Sequence, residues 1–321
     1  MRSGLKVLPF VGAGSLLLAH LLTAAAFRRR TDAMIARFEQ ASAAERSMPS
    51  VPAIIQSFAR RAVGESPVPN TVWLSQRGEL RVNLRDSWRR FTAEQVISSH
   101  EPGFAWLARM QAAPLVSARV LDCYVGGEGI LEARLFGSLQ VARAAGPPAG
   151  KGELMRYLAE LAWAPHAMLH NPQLSWREID ATTIEVSAES QAGPARVRLL
   201  FENGDITRVD AADRPRMVGR RVVPTRWQAH CCDYREMNGC RIPTRAVASW
   251  LLEEGPFDYW RGRVTAFQMR CFATCKACID LNQCCLCRDW DYMGRWGGRY
   301  IIGAVINIFA RRRRTEARPS P

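Results

Sequence analysis

The sequence predicts an α+β protein that is mostly β: a curved antiparallel sheet, half-barrel-like, covered by one or two helices and preceded by an N-terminal transmembrane helix. Three observations carry this. Residues 7–27 are an uncharged run rich in Leu and Ala, with Arg2 and Lys6 before it and Arg28-Arg29-Arg30 after it. From residue 67 onward apolar side chains alternate with polar ones at a period of two, as half-buried strands require. One stretch with a helical apolar stripe, residues 153–163, interrupts those strands.

The N-terminal run is long enough, at about 1.5 Å per residue, to cover a hydrocarbon core of roughly 30 Å, and a helix satisfies its own backbone there. A cleaved signal peptide is the competing reading, since Ala24-Ala25-Ala26 supply small residues. The length of the run, and the positive charge at residues 28–30 directly after such a cleavage, favour an uncleaved anchor over residues 1–30. The basic residues on its two sides balance, so the side on which the body lies stays open. Residues 31–66 read as a helical linker. Met34, Ile35 and Phe38 fall at helical spacing, Met48-Pro49-Ser50 breaks the run, and Ser50 is placed to cap a second helix with Ile54, Ile55 and Phe58 on one face. Gly64, Pro67 and Pro69 then punctuate the chain.

The body, residues 67–267, reads as an antiparallel domain. Leu80, Val82 and Leu84 alternate with charged or polar neighbours, as do Phe104, Trp106 and Ala108. Val116 to Val120 and Leu131 to Leu135 follow, joined by Gly126-Gly127-Glu128-Gly129; later strands are expected at 182–188, 197–201, 206–209, 242–250 and 259–264. Asn203-Gly204 and Asn238-Gly239 are hairpin signals, because both central positions of a type I′ turn need positive φ. The helix at 153–163, preceded by Gly150-Lys151-Gly152 and striped by Leu154, Leu158 and Leu161, is expected to lie on the concave side of the sheet.

The net charge of +14 sits at the ends. Residues 1–30 carry five basic and no acidic side chains, and residues 268–321 carry ten basic and four acidic, which leaves the body close to neutral. That distribution argues against nucleic acid as a partner and suits the flanks of a membrane segment.

Several local patterns resemble an uncharacterised bacterial family, a domain of unknown function, over about residues 50–267. These are Trp88-Arg89-Arg90-Phe91, Phe104-Ala105-Trp106-Leu107, Leu154-Met155-Arg156-Tyr157 with Glu160 and Trp163-Ala164-Pro165, and Tyr259-Trp260-Arg261. The resemblance implies no activity. It implies that the Arg-Tyr-Glu helix and the tryptophans belong to a shared design. The meander with a covering helix is also similar in architecture to the half-barrels of periplasmic lipoprotein carriers. The tail from residue 268 departs from the family pattern.

Candidate chemistry is sparse. Six cysteines lie between residues 271 and 287, and Cys275, Cys278, Cys284 and Cys287 form a conjectural metal set. The five residues between Cys278 and Cys284 are too few for an ordinary structural zinc site, so metal, disulfides and an unselected tail all remain open readings. Cys231, Cys232 and Cys240 flank the Asn238-Gly239 hairpin as buried thiols or a local disulfide. Arg156 and Glu160 share a helix face with Tyr157 beside them, either an intrahelical ion pair or the polar end of a binding site. No phosphate loop, dinucleotide fingerprint or nucleophile elbow occurs, and nothing calls for a cofactor.

The resulting expectation is a membrane-tethered, non-enzymatic envelope protein that binds an apolar or amphipathic ligand. Its conjectural site residues are Trp106, Arg156, Tyr157, Glu160, Trp163, Trp176, Tyr259 and Trp260. The alternatives are a membrane-associated hydrolase using Glu160 with His166 or His170, and a metal or redox role for the tail. Oligomeric state is left open.

Overall fold

Thirteen antiparallel strands form one sheet in a computed structural model that describes residues 8–40, 50–219 and 221–271. The strands are β1 (Thr71–Leu80), β2 (Arg89–Ser98), β3 (Phe104–Ala113), β4 (Val116–Val125), β5 (Glu128–Leu135), β6 (Leu139–Ala144), β7 (Ser175–Asp180), β8 (Thr183–Ala188), β9 (Ala195–Glu202), β10 (Asp205–Val218), β11 (Arg221–Met237), β12 (Cys240–Leu252) and β13 (Gly255–Arg270). Their spatial order is 6-5-4-3-2-1-13-12-11-10-9-8-7. Two meanders are therefore joined where the first strand pairs with the last, and β6 and β7 are the two edges. The chain must cross the whole sheet between them. It does so as α3 (Pro147–Ala159), a 3-10 turn (Glu160–Trp163) and α4 (Pro165–His170). That is why helix interrupts the meander here. Because α3 touches β4 and β5 on one wing and β8, β9 and β10 on the other, the sheet curves around it.

Two faces follow from the period-two alternation. The inner face buries Val72, Leu74, Phe91, Ile97, Phe104 and Trp106 against α2 (Ala53–Val63), α3 and α4. The outer face of β2, β3 and β4 buries Val96, Ala105, Leu121 and Cys123 against α1 (Leu8–Gln40). The turns at Asn203-Gly204 and Asn238-Gly239 have positive φ at both residues, as the hairpin signals require.

Several expectations are corrected. Among the described residues no helix is long and apolar enough to cross a membrane. The helix α1 does not end at Arg28-Arg29-Arg30. It continues as one helix to Gln40, laying Phe27, Ile35 and Phe38 on the sheet and pairing Arg30 with Glu132 at 2.6 Å. Ser50 does not cap α2; Pro52 precedes the helix, and its carbonyl accepts from the Gln56 amide at 2.9 Å. β1 ends at Leu80, since Asn83 and Asp86 close a turn with mutual hydrogen bonds of 3.0–3.1 Å and expose Val82 and Leu84. Gly150 and Gly152 lie inside α3, which starts at Pro147; a Cβ on Gly129 would lie 2.7 Å from the Ala149 carbonyl oxygen, so α3 rests directly on the start of β5. Cys275, Cys278, Cys284 and Cys287 lie outside the described residues.

Candidate functional site

The inner-face positions of the central strands are not all apolar. Val72, Leu74, Gln76, Gly78 and Leu80 share one side of β1, and Phe91, Ala93, Gln95 and Ile97 share one side of β2. Buried amides must find partners, because an unpaired one costs roughly 1–3 kcal/mol. They do. Trp106 donates its indole N–H to Gln76 Oε1 at 2.9 Å, Gln76 donates to Gln95 at 2.9 Å, and Gln95 donates to Glu160 at 2.5 Å. Glu160 in turn accepts from Arg156 Nε at 2.8 Å, and Arg156 Nη1 reaches Asp122 on β4 at 2.6 Å. The chain of polar groups thus runs from the sheet to α3 and back to the sheet.

Arg156 also lies over the rings of Phe104 and Trp106, 4.8 and 5.1 Å from their centroids. Burial alone would lower its affinity for the proton; the carboxylates of Glu160, Asp122 and Glu153 outweigh burial and hold the guanidinium charged. Glu153, one turn earlier, is buried beside Asp122. Burial first, and the Asp122 carboxylate second, push its carboxyl well above the usual carboxylate range. Beyond it stands a second buried arginine, Arg214, 4.0 Å from Glu153 and 4.8 Å from the Trp227 ring. Arg214 and the Trp227 N–H both donate to the Tyr259 hydroxyl, at 3.4 and 3.0 Å.

Aromatic rings form the surroundings. Phe91 meets Trp106 edge-on at 5.4 Å and stacks on Trp260 at 5.8 Å, while Trp163 lies 6.4 Å from Trp260. The Phe91 and Trp260 rings lie over the close pair Gly78 and Gly262, where an added Cβ would meet them at 2.6–2.7 Å.

The expected site residues distribute as follows. Trp106, Arg156, Glu160, Trp163 and Trp260 come together beneath the crossover. Tyr157 is fully buried on the other side of α3, donating to the Ser98 carbonyl at 3.3 Å and accepting from Asn171 at 2.9 Å. Tyr259 belongs to the Arg214 group, stacked on Trp250 at 5.7 Å. Trp176 stands apart on edge strand β7. Gln76, Gln95, Asp122, Glu153 and Arg214 belong to the network, although the sequence alone does not mark them. The parity of β1 and β2 is the signal that places the two glutamines inward.

Among the described residues no ion pair or hydrogen bond joins Glu160 to His166 or His170. His166 instead bonds the Ser66 hydroxyl at 3.1 Å and, with His100 and His170, forms a separate group around α4. Cys231, Cys232 and Cys240 are free thiols, and no group of metal-ligating side chains occurs among the described residues.

The outer face has a different character. Directly opposed residues share a face, and the strand register aligns Arg119, Arg109, Thr92, Arg77, Arg263 and Arg245 in one row across six adjacent strands. This row and the next border an open groove of about 1000 Å³ lined by six arginines, with Glu79 as its acidic member. Glu79 is already engaged by Arg261 at 2.6 Å.

No curated protein matches the chain in sequence. Among solved structures, similar chains include a LolA superfamily protein from Nitrosomonas europaea at 11% identity and TM-score 0.38, covering 70% of this chain and 96% of that one. A putative outer membrane lipoprotein-sorting protein domain from Vibrio parahaemolyticus is 8% identical at TM-score 0.36, covering 71% and 95%. A DUF1329 family protein from Desulfovibrio piger is 12% identical at TM-score 0.36, covering 72% and 97%. Residues 41–262 match the sequence profile of a family of unknown function, DUF6544, and the chain belongs to that family.

Proposed function

We propose that the chain binds an apolar or amphipathic, lipid-like ligand between the inner face of the sheet and the helical crossover, at the cell envelope. The observation that carries this reading is the charged centre set into an aromatic layer. Arg156 rests on Phe104 and Trp106, and Trp163 and Trp260 extend the layer. An ion-pair network buried among aromatic rings is an expensive way to fill a core, because hydrophobic residues of the same volume would stabilise as well or better. It suits a ligand with an apolar body and a polar head. The body would displace ring contacts, and the head would exchange with Glu160 or Asp122 on the Arg156 fork.

Side chains fill the space in the described structure, so entry requires the crossover to lift. Lifting it means releasing the bonds that hold it to the sheet, from Arg156 to Asp122, Gln95 to Glu160 and the Trp163 indole to the Pro243 carbonyl. The exposed leucines Leu18, Leu21 and Leu22 of α1 support the envelope placement, since an apolar surroundings would cover them.

The test is native mass spectrometry of the purified full chain, followed by solvent extraction of whatever it carries. A defined lipid or other apolar molecule at near-integral stoichiometry is the expected result. A folded chain that is empty, and that takes up no phospholipid or fatty acid when these are supplied, overturns the reading.

A further inference from the structure

Exposed large apolar side chains are not scattered over this protein. All of those among the described residues except Val68, Val141 and Ile179 lie at one end of the sheet, where β1, β3, β5, β10 and β12 finish. Val82 and Leu84 stand on the β1–β2 loop, Leu115 on the β3–β4 turn, and Phe136 and Leu139 at the β5–β6 turn. The β10–β11 hairpin adds Met217, Val218, Val222 and Val223. The helix α1 reaches the same end. His20 bonds Ser138 of the β5–β6 turn at 2.6 Å, whereas Phe38 and Glu39 sit at the opposite end, against Gly103 and Arg270. Leu18, Leu21 and Leu22 thus border the turn that carries Phe136.

Gly137, Gly193, Gly219 and Gly255 take left-handed positions in the turns at this end, but two bulky residues do so as well. At the opposite end the left-handed positions are filled by Gly126-Gly127, Asn203-Gly204 and Asn238-Gly239, the inexpensive residues for positive φ. At this end Leu115 has φ 63° and is 95% exposed, and Phe136 has φ 52° and is 50% exposed. A bulky apolar residue there bears both backbone strain and unfavourable hydration, a combination that concentrates at functional surfaces.

The arginine groove of the outer face lies directly behind these tips. Arg90 is one residue from the start of β2 and Arg77 three from the end of β1, about 3 and 10 Å at the usual strand rise, while Arg261, Arg245 and Arg263 lie six to eight residues from the ends of β13 and β12. The acidic side chains at this end are few and mostly set back. Glu79 is paired with Arg261, and Asp86 is bonded to Asn83. Glu253 and Glu254 form the β12–β13 turn, and the register Trp227 to Trp250 carries the neighbouring β10–β11 hairpin about four residues past that turn. Glu189 lies on the β8–β9 connection.

We infer that this end of the sheet is a docking face for an anionic lipid bilayer, with the apolar tips entering the boundary between head groups and acyl chains and the arginines behind them at head-group depth. Apolar tips from four separate loops at one end, with Arg90 and Arg77 set about 3 and 10 Å behind the β1–β2 tip, match the layering of a membrane interface, where apolar groups sit a few ångströms below charged ones. Guanidinium forks suit lipid phosphates. The inference goes beyond the ligand site under the crossover and does not depend on it.

The test is hydrogen–deuterium exchange of the full chain with vesicles of phosphatidylcholine alone and of phosphatidylcholine with phosphatidylglycerol. The expected result is protection of residues 81–88, 113–117, 135–139 and 216–223 by the anionic vesicles, with the turns at 126–127, 203–204 and 238–239 unprotected. The double substitution Phe136→Ser with Val222→Ser, both at exposed positions, should weaken binding to the anionic vesicles about tenfold or more while leaving circular dichroism unchanged. Protection confined to α1, or equal binding by the double variant, overturns the inference. So does equal protection of the same loops by polyphosphate or nucleic acid in place of vesicles, which would make the end an anion site without an apolar component.

Discussion

Arg156 Nη1 lies 2.6 Å from Asp122 Oδ2, so that a single guanidinium ties the crossover helix to the centre of one wing of the sheet while its Nε holds Glu160. Both partners are nearly buried, which makes removal of one costly: the other charges are left without compensation. Arg156→Met should destabilise the fold by about 3–5 kcal/mol, read as a fall in the urea midpoint with the slope unchanged. Replacing Asp122 with Asn in the same background should cost less than the sum of the single effects, because the two side chains share one interaction.

Glu132 is the corresponding tie on the outer face. Its fully buried carboxylate receives Arg30 of α1 at 2.6 Å, Arg143 of β6 at 2.8 Å, and Arg134 of its own strand. Burial alone would raise its carboxyl; the bonds from Arg30 and Arg134 outweigh burial and hold it below the usual range. Glu132→Gln should cost about 2 kcal/mol, discounted because Arg30 and Arg143 are partly exposed, and should speed amide exchange in residues 27–39 before it affects β1–β3.

Stability should fall as the solution is acidified. Burial, with the nearby His170 and His100, lowers the His166 pKa from 6.5 to about 4. The unfolded chain therefore takes up this proton before the folded one does, and protonation favours unfolding between about pH 6.5 and 4. The effect is worth about 3 kcal/mol over that window. Glu132, whose pKa is depressed, adds loss of stability in the same direction at lower pH. Glu153 acts oppositely, since its raised pKa gives a contribution that is present at low pH and lost as pH rises. A series of melting temperatures from pH 7 to 4.5 should decline, and His166→Phe should flatten the decline.

The close approach at Gly78 gives a steric test. A Cβ there would lie 2.3 Å from the Arg261 carbonyl oxygen and 2.7 Å from the Phe91 ring. Gly78→Val should destabilise by about 1–3 kcal/mol and disturb the near-ultraviolet signal of Trp260, which stacks on Phe91.

Much of the fold is legible in local residues. The alternation through Phe104 and Trp106, the Asn-Gly turns and the apolar stripe of Leu154, Leu158 and Leu161 each report structure decided within a few residues. The failures come from long-range effects. The alternation of Leu80, Val82 and Leu84 continues past the strand because Asn83 and Asp86 close a turn that periodicity does not register. Residues 221–237 are not marked as a strand, since Pro224, Cys231 and Cys232 dilute the pattern, yet β10 and β12 pair with them on both sides. The extent of α1 depends on Phe27 and Phe38 finding the outer face. In the candidate site, Arg156 and Glu160 are legible as a helical pair, while Asp122, Gln95 and Arg214 join them only through the curvature of the sheet.

Photolabelling with a fatty acid that carries a diazirine in its chain tests the ligand site most directly. The account predicts saturable labelling of peptides containing Trp106, Trp163 and Trp260, reduced by unlabelled fatty acid and by Arg156→Met. Labelling found only on α1 and the exposed hairpin tips, with none beneath the crossover, would contradict it.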